Sequence, residues 1–591
     1  MTFSTLLHGC GLPTAWAQQA QWRILDTDFG LGQNFLATWA AWQADPARPR
    51  LLHFVACLAQ PLAGAELLRA APPAWRALAH TLAAQCWGLL PGVHRLGFDG
   101  GRVLLTLYVG DAHSLLRQQQ PEFDSICLGP LPTAEADTLH LLKTLARCCR
   151  RGTLLAHAGA GAPLAAALAQ CGFTVQPQPT GLQARFDPSW TLRHAGDKPA
   201  PLSPSHCVVV GSGLAGSAAA ASLARRGWRV TVLDQGLAPA AGASGLPAGL
   251  FALHSSPDDA PLSRLTRAGL RLVRETAQAL LTEGQDWAPS GVLEHCVDSK
   301  LSLPSAWQQE DHPGADWLQP ASDGQRAAAG LPPNAVAQWH SQGGWVRPAR
   351  LIAALLAQPG IRWQGGSTVA RIERAPDTAG AAPQWRLYDS AGQLLAQAPL
   401  VVLATGAGSI ALCQERLQAG SLRPLRGQVS WGPVADCPTP LPPFPVNGHG
   451  NLVPQAPTEE GAPIWVLGST FERGQTQLPK SAEEEAAGQA YNQQRLQGLL
   501  PALAQAMAPL FAQPGAIQAW SGVRCAAPDR RPAVGPIDPA LPGLCLSTAF
   551  GARGLTNALL CGEILAAQLH AEPLPLEAKV AQSLQAERLR I

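Results

Sequence analysis

The stretch CVVVGSGLAGSAAAASLARRGWRVTVLD, residues 207–234, decides the fold of most of this chain. Cys207–Val210 is a short, unbroken apolar run, the pattern of a parallel strand buried on both faces. Gly211-Ser-Gly213-Leu-Ala-Gly216 follows at once, then a small-residue helix through Ala220 and Leu223, a turn at Gly227, a second strand Arg229–Leu233, and Asp234. The spacing predicts a βαβ unit. Gly211 permits the tight turn, Gly213 lets the backbone approach a pyrophosphate, and Gly216 lets helix and strand pack closely. The helix N-terminus then offers unpaired N–H groups and partial positive charge to the phosphates. Asp234, 23 residues after Gly211, is placed to accept hydrogen bonds from ribose hydroxyls. A glycine-rich helix start alone is weak evidence. Strand, helix, second strand and terminal acid in register point to a bound dinucleotide.

Working outward, Gly242-Ala243-Ser244-Gly245 and Gly249-Leu-Phe lie just after the second strand. LVVLATGAG, 400–408, reads as another buried strand ending in a glycine turn at Thr405-Gly406. Near the C-terminus, Leu544–Thr548 reads as a strand, and Phe550-Gly551-Ala-Arg553-Gly554-Leu555-Thr556 leads into a helix over Asn557–Leu569. A late strand–glycine–helix unit returning to the first domain suits FAD. There the last helix points its N-terminus at the flavin pyrimidine end, where charge accumulates on reduction. A nicotinamide dehydrogenase has no such task for it.

The whole chain has 591 residues, room for two to four domains. Apolar residues make up 47% and charged residues 14%, which excludes a disordered or highly charged chain. The net charge is +2, and only five of the cations are lysines (Lys143, Lys198, Lys300, Lys480, Lys579). That balance argues against non-specific nucleic-acid binding and makes a local arginine patch a requirement for any RNA substrate. None of the 14 cysteines has CxxC spacing, so no zinc site or other metal is expected, and the thiols read as buried in a reducing compartment. Ala15-Trp16-Ala17 mimics a signal cleavage site but lacks a basic and a long apolar region before it. No run of 18 residues is apolar throughout, so the reading is a cytoplasmic chain without a membrane span. The proline-rich stretch 191–205 reads as a linker between an α/β domain, 1–190, and a second domain, 206–591.

The motifs GSGLAG, GASGLPAGLF, GGWVRPARL, ATGAG, SGVRCAAPDRRPAVGP and FGARGLTNALLCGEILAAQL resemble the D-amino-acid oxidase/glycine oxidase superfamily across 206–591. Their arrangement behind an α/β domain carrying LLHGCGLP, LDTDFGLGQNFLATW and LLHFVA resembles the bifunctional tRNA-modifying family of 5-methylaminomethyl-2-thiouridine biosynthesis. The resemblance implies an α/β fold: an N-terminal Rossmann-like methyltransferase domain and a C-terminal FAD-binding Rossmann domain with an inserted α+β substrate domain. It implies a tRNA partner and FAD-dependent removal of the carboxymethyl group from 5-carboxymethylaminomethyl(-2-thio)uridine at the wobble position, followed by methylation from S-adenosylmethionine. The alternative is an oxidase of free glycine, sarcosine or a similar amino acid, which the C-terminal motifs fit equally.

Motif positions assign Gly211, Gly213, Gly216, Asp234, Ala243, Ser244, Gly249, Thr405, Gly551, Gly554, Leu555 and Thr556 to FAD. The leaving fragment ends in a carboxylate, which an arginine fork suits. Arg524 and Arg553 stand where related oxidases hold substrate, and are the expected catalytic residues. Arg426 and Gln428 are weaker candidates for the same pocket, and His449 reads as a turn residue. In the first domain Gly30, Gly32 and Asp111 match S-adenosylmethionine positions. Two family acids are missing. Leu58 aligns with the ribose-binding Glu, Gly129 with the catalytic Asp, and Asp124 precedes the strand and matches another family residue. S-adenosylmethionine binding and methylation by this domain are therefore doubtful. Oligomeric state is not legible.

Overall fold

The computed structural model describes residues 4–159, 161–178, 181–192, 201–298, 300–309, 311–376 and 383–591. Most of the expected linker, 193–200, lies outside them. Two compact units are present: Met1–Ser203 with Ala567–Ala581, and Pro204–Ala566 with Gln582–Ile591.

The first unit is built on one sheet of eight strands: β1 Gln21–Asp26, β2 Leu51–Leu58, β3 Gly92–Phe98, β4 Val103–Val109, β5 Phe123–Leu128, β6 Cys149–His157, β7 Phe173–Gln178 and β8 Gly181–Phe186. Their spatial order is β3-β4-β2-β1-β5-β6-β8-β7. The inner five run parallel, while β3 and the β7–β8 hairpin are antiparallel. β2 and β4 are buried along their whole length, which is why LLHFVACL and VLLTLYV carry no polar alternation. Phe35, Trp39, Phe54 and Phe98 pack on one face with centroids 4.6–5.6 Å apart. The chain leaves β1 toward β2 on one side and returns to β5 on the other, so the carboxyl ends of β1 and β5 form the switch point where such sheets bind ligands.

The same unit includes the segment Ala567–Ala581. Gln21 Nε2 donates to the His570 carbonyl (3.1 Å), Arg23 to that of Ala571 (3.0 Å) and Arg95 to that of Pro573 (2.7 Å). Asp124 lies inside β5 rather than before it. It is 3% exposed and holds Arg23 and Arg150, a packing role.

The second unit carries the quoted stretch as β9 His206–Val210, the helix Leu214–Arg225 and β10 Arg229–Leu233. The sheet runs Ile361–Gln364, β10, β9, Leu400–Leu403, Leu544–Thr548, Ala533–Pro536. β9 lies parallel to β10 on one side and to Leu400–Leu403 on the other, as its apolar run Cys207–Val210 requires. The last long helix spans Gly554–Leu569, three residues earlier than its apolar pattern begins, because a first helical turn needs no apolar face. The substrate part is a nine-stranded mixed sheet assembled from 292–340 and 423–526, with Arg423–Pro433 paired along its length to Gln518–Ala526. Helices Ala482–Leu499 and Pro501–Ala512 complete it. Among the described residues no helix is long and apolar enough to cross a membrane.

Candidate functional site

In the second unit the glycine turn behaves as its spacing requires. Gly211 has φ +102°, and a side chain on Gly216 would put its Cβ 1.8 Å from the Gly211 carbonyl oxygen. A Cβ on Gly213 would meet Ser244 Oγ at 3.0 Å, and that hydroxyl accepts from the Leu214 N–H (3.1 Å) at the start of the helix. Asp234 follows β10 and turns back onto the loop. Its Oδ2 accepts from Ser212 N–H (2.5 Å) and Ser212 Oγ–H (2.8 Å), its Oδ1 from Gly236 N–H (2.7 Å). Thr405 packs behind Gly211, whose Cβ would lie 3.3 Å from Thr405 Cα. The turn Ala243–Gly245 abuts the strand Gln518–Ala526, since a Cβ on Gly522 would meet Ala243 Cα at 2.9 Å.

The late unit closes onto the same place. A Cβ on Gly249 would meet Leu555 Cδ1 at 2.7 Å, and one on Gly554 would meet Leu214 Cδ1 at 3.6 Å. Gly551, at φ +56°, donates its N–H to the Cys525 carbonyl (2.8 Å). The glycine turn, Ser244, Gly249, Gly554 and Leu555, which the sequence assigned to FAD, are thus brought together beyond the carboxyl ends of β9 and β10. Glycines leave the backbone bare there, at the N-terminus of the helix Leu214–Arg225. These residues fit a dinucleotide.

Arg524 lies on Gln518–Ala526, one residue before the Cys525 carbonyl that anchors the Arg553 turn. Gly427 leaves room for its guanidinium, since a Cβ there would lie 2.4 Å from Nη2. Nη2 donates to the Thr470 carbonyl (3.0 Å), and the guanidinium carbon stands 4.6 Å from the Phe471 ring centroid. Nε is buried with no partner, and no carboxylate pairs with Arg524 among the described residues. Burial lowers its pKa to about 10. A cation so placed lacks the anion that buried cations ordinarily have. Arg553, on the neighbouring turn, has no carboxylate partner either. Burial and then Arg530 lower its pKa. His254 is shifted down by burial and by Arg553, which places a neutral imidazole nearby.

Two weaker candidates are elsewhere engaged. Arg426 donates to Glu472 (2.7 Å), Glu484 (2.5 Å) and the Gln477 carbonyl (2.9 Å), so it carries an ion-pair network rather than a pocket. Gln428 accepts from Lys480 (2.7 Å) and donates to the Glu485 carbonyl (2.8 Å). His449 sits in the hairpin between Val446–Gly448 and Gly450–Pro457, as a turn residue, 3.7 Å from Asp298.

In the first unit, Gly30 and Gly32 take positive φ in the loop after β1, and Gly32 caps the helix Gln33–Ala44. Asp111 follows β4 and caps the helix Ala112–Gln119 through His113 N–H (3.1 Å). Leu58 ends β2, nearly buried, with no carboxylate to offer. Sequence reasoning missed Asp26, the last residue of β1. It is 1% exposed, accepts from Asn34 Nδ2 (2.9 Å) and Asp28 N–H (3.2 Å), and burial raises its pKa to about 7. An acid ending the first strand ahead of a glycine loop was the available signal. All fourteen cysteines are free thiols, twelve of them buried.

Two protein families match separate stretches of the chain. Residues 206–568 match the FAD dependent oxidoreductase family and residues 73–185 the S-adenosyl-L-methionine-dependent methyltransferase family. Fold and matches thus define a FAD-dependent oxidoreductase joined to a methyltransferase domain, so S-adenosylmethionine is implied as a cofactor beside FAD, despite the missing acids. A protein of Paracidovorax citrulli, the tRNA 5-methylaminomethyl-2-thiouridine biosynthesis bifunctional protein MnmC, is 56% identical over 604 residues, covering 99% of this chain and 94% of that one. Its namesake in Verminephrobacter eiseniae is 52% identical over 620 residues, covering 99% and 98%. The glycine oxidase of Geobacillus kaustophilus superposes with a TM-score of 0.48 at 21% identity, over 63% of this chain and 96% of that one. The chain belongs to the family of tRNA 5-methylaminomethyl-2-thiouridine biosynthesis bifunctional proteins.

Proposed function

We propose that the second unit oxidatively removes the carboxymethyl group from 5-carboxymethylaminomethyl(-2-thio)uridine in the tRNA wobble position, and that the first unit then methylates the exposed amine. The observation that carries the oxidative reading is the half-buried guanidinium of Arg524, its Nε buried and without a carboxylate partner among the described residues. The substrate's leaving fragment ends in a carboxylate. Nε has no hydrogen-bond partner and, with the second N–H of Nη2 on the same edge, forms a fork that suits a carboxylate, while Thr470 and Phe471 fix the plane of the guanidinium. Arg553, without a carboxylate partner among the described residues, stands on the adjacent turn and would line the same place. Bound there, FAD would supply the hydride acceptor for the C–H beside the substrate amine, and water would hydrolyse the resulting imine to release the two-carbon aldehyde acid. Gly211, Gly213 and Gly216 would hold its pyrophosphate, Asp234 its ribose, and Gly249, Thr405 and Gly551–Thr556 the flavin end. The chain supplies position: Arg524 holds the carboxylate, which fixes the neighbouring carbon. The amine lone pair supplies the push, so no strong protein base is required.

The domains proposed to carry the two steps are 206–591 and 1–190, and a cytoplasmic setting follows from a tRNA substrate. No metal is needed for either step. Full-length identity to bifunctional tRNA-modifying relatives does not favour the alternative of a free amino-acid oxidase. The test is to incubate the purified flavoprotein with tRNA from cells lacking this activity and to follow nucleosides by mass spectrometry. Loss of the carboxymethyl group with gain of a methyl group is expected. Peroxide release from free glycine with untouched tRNA would overturn the reading.

A further inference from the structure

The first unit lacks a carboxylate at Gly129, where the family resemblance puts the catalytic one, yet the space is not left without an acid. Gly129 follows β5 and Asp28 follows β1, across the switch point of the sheet. A Cβ built on Gly129 would lie 2.6 Å from the Cβ of Asp28, closer than two real side chains approach. The two positions therefore cannot both carry side chains without a shift. This chain puts its carboxylate on 28 and leaves 129 bare. The loop that carries Asp28 is fixed from both sides. Thr27 N–H donates to the Cys127 carbonyl (3.0 Å), Phe29 N–H to the Cys57 carbonyl (2.9 Å), and Gly129 N–H to Thr27 Oγ1 (2.8 Å). Asp28 is exposed, and among the described residues its carboxylate accepts one hydrogen bond, from the Gly30 N–H at 3.3 Å.

We propose that Asp28 supplies, from the β1 loop, the catalytic carboxylate of methyl transfer that position 129 no longer carries. The inference rests on the reading that the first unit methylates the amine. The step balances as follows: the amine lone pair forms the N–CH3 bond, the C–S bond of the sulfonium donor breaks with its pair on sulfur, and the N–H proton passes to Asp28. Buried Asp26, beside it, is driven toward its neutral form, mainly by burial and in part by Asp28's charge, and accepts bonds from Asn34 and the Asp28 N–H. Asp28 is thus the carboxylate left facing outward.

The experiment uses the full flavin-loaded chain, tRNA bearing 5-aminomethyl-2-thiouridine, and S-adenosylmethionine. Asp28→Asn is expected to lower the rate of methyl transfer at least about 100-fold, with S-adenosylmethionine affinity by calorimetry within about threefold of wild type. The double variant Asp28→Gly, Gly129→Asp returns the carboxylate to the β5 side and is expected to recover the rate to within about tenfold, whereas Asp28→Gly alone is not. Undiminished methylation by Asp28→Asn overturns the proposal. So does tighter donor binding or faster transfer in Asp28→Gly, which would mark Asp28 as an obstruction. A wild-type chain that neither binds the donor nor methylates, while still removing the carboxymethyl group, refutes the methylating reading itself and the proposal with it.

Discussion

Replacing Arg524 with Met separates its function from its contribution to stability, and the two should move in opposite directions. In the protein without substrate, the guanidinium is half-buried with no carboxylate partner among the described residues, and its pKa is lowered from 12.5 to about 10 by burial alone. That difference corresponds to about 3 kcal/mol of disfavoured charge. Against it stand the hydrogen bond to the Thr470 carbonyl, about 1 kcal/mol, and the contact with the Phe471 ring, about 0.5–1 kcal/mol. Arg524→Met should therefore leave the unfolding free energy unchanged or raise it by about 1 kcal/mol, with the methionine filling the guanidinium's slot. The charge penalty is present below the native pKa and fades as pH rises through about 10, so any stability gain of the variant should shrink there. Activity should fall steeply. A fork on the substrate carboxylate contains two charge-assisted bonds of about 1.5–3 kcal/mol each, which predicts a loss of about 100-fold or more in kcat/KM for flavin reduction by modified tRNA. Arg524→Lys, with one point charge, should lie between. The assays are denaturant unfolding and anaerobic stopped-flow reduction. A variant that is markedly less stable and still reduces its flavin at the wild-type kcat/KM would refute the reasoning, because Arg524 would then be a packing residue.

Glu563 is buried and takes Arg226 (3.2 Å), Arg225 (3.3 Å) and Ser222 (2.7 Å), pinning the last helix to the first helix of the dinucleotide unit. Glu563→Gln should cost about 3–5 kcal/mol, read by chemical denaturation, since it strands a buried cation. Its carboxyl is held far below the usual range despite burial, chiefly by Arg226 and Arg225, so its stabilisation is present above about pH 4.5 and lost only as pH falls through the lowered native value. Gly216→Ala forces its Cβ against the Gly211 carbonyl, and purified protein should lose its yellow colour, with FAD retention at least about tenfold weaker. Asp26 keeps its proton in the native state up to about pH 7 but releases it near 3.8 when unfolded, so its contribution to stability falls between those values as pH rises. Asp26→Asn should remove that slope. It should gain up to about 3–4 kcal/mol over wild type at pH 8 and nothing at pH 4, measured by urea titration.

The second unit was largely legible because its signals are local. A buried strand, three glycines and a terminal acid lie within 28 consecutive residues, and the structure forms β9 and β10 where the apolar runs fall. What the sequence cannot show is a long-range engagement. Nothing local distinguishes Arg426 from Arg524, since both lie on strands of one ladder, opposite Val523 and Leu425 respectively. Glu472 and Glu484 arrive from 46 and 58 residues away to claim Arg426, and no acid arrives for Arg524. Likewise, Ala567–Ala581 continues the apolar helix before it without any mark that its carbonyls take Gln21, Arg23 and Arg95, more than 450 residues back.

The first unit shows the opposite failure: motif reading position by position finds losses where the structure finds an exchange. Leu58 and Gly129 each subtract an acid, and on sequence alone nothing singles out Asp28. Placed on the sheet, 28 and 129 are a single site, because β1 and β5 are neighbours and their carboxyl ends meet. The 2.6 Å separation makes the two substitutions mutually dependent: either alone would overfill the gap or empty it of charge. That dependence can be measured without chemistry. Gly129→Ala should destabilise the full chain by about 1–3 kcal/mol through overpacking, and the same change in an Asp28→Gly background by much less, a coupling of at least about 1 kcal/mol in a double-mutant cycle. Additive effects would mean that the loops relax apart freely, and the carboxylate at 28 would then have no fixed place from which to replace the one at 129.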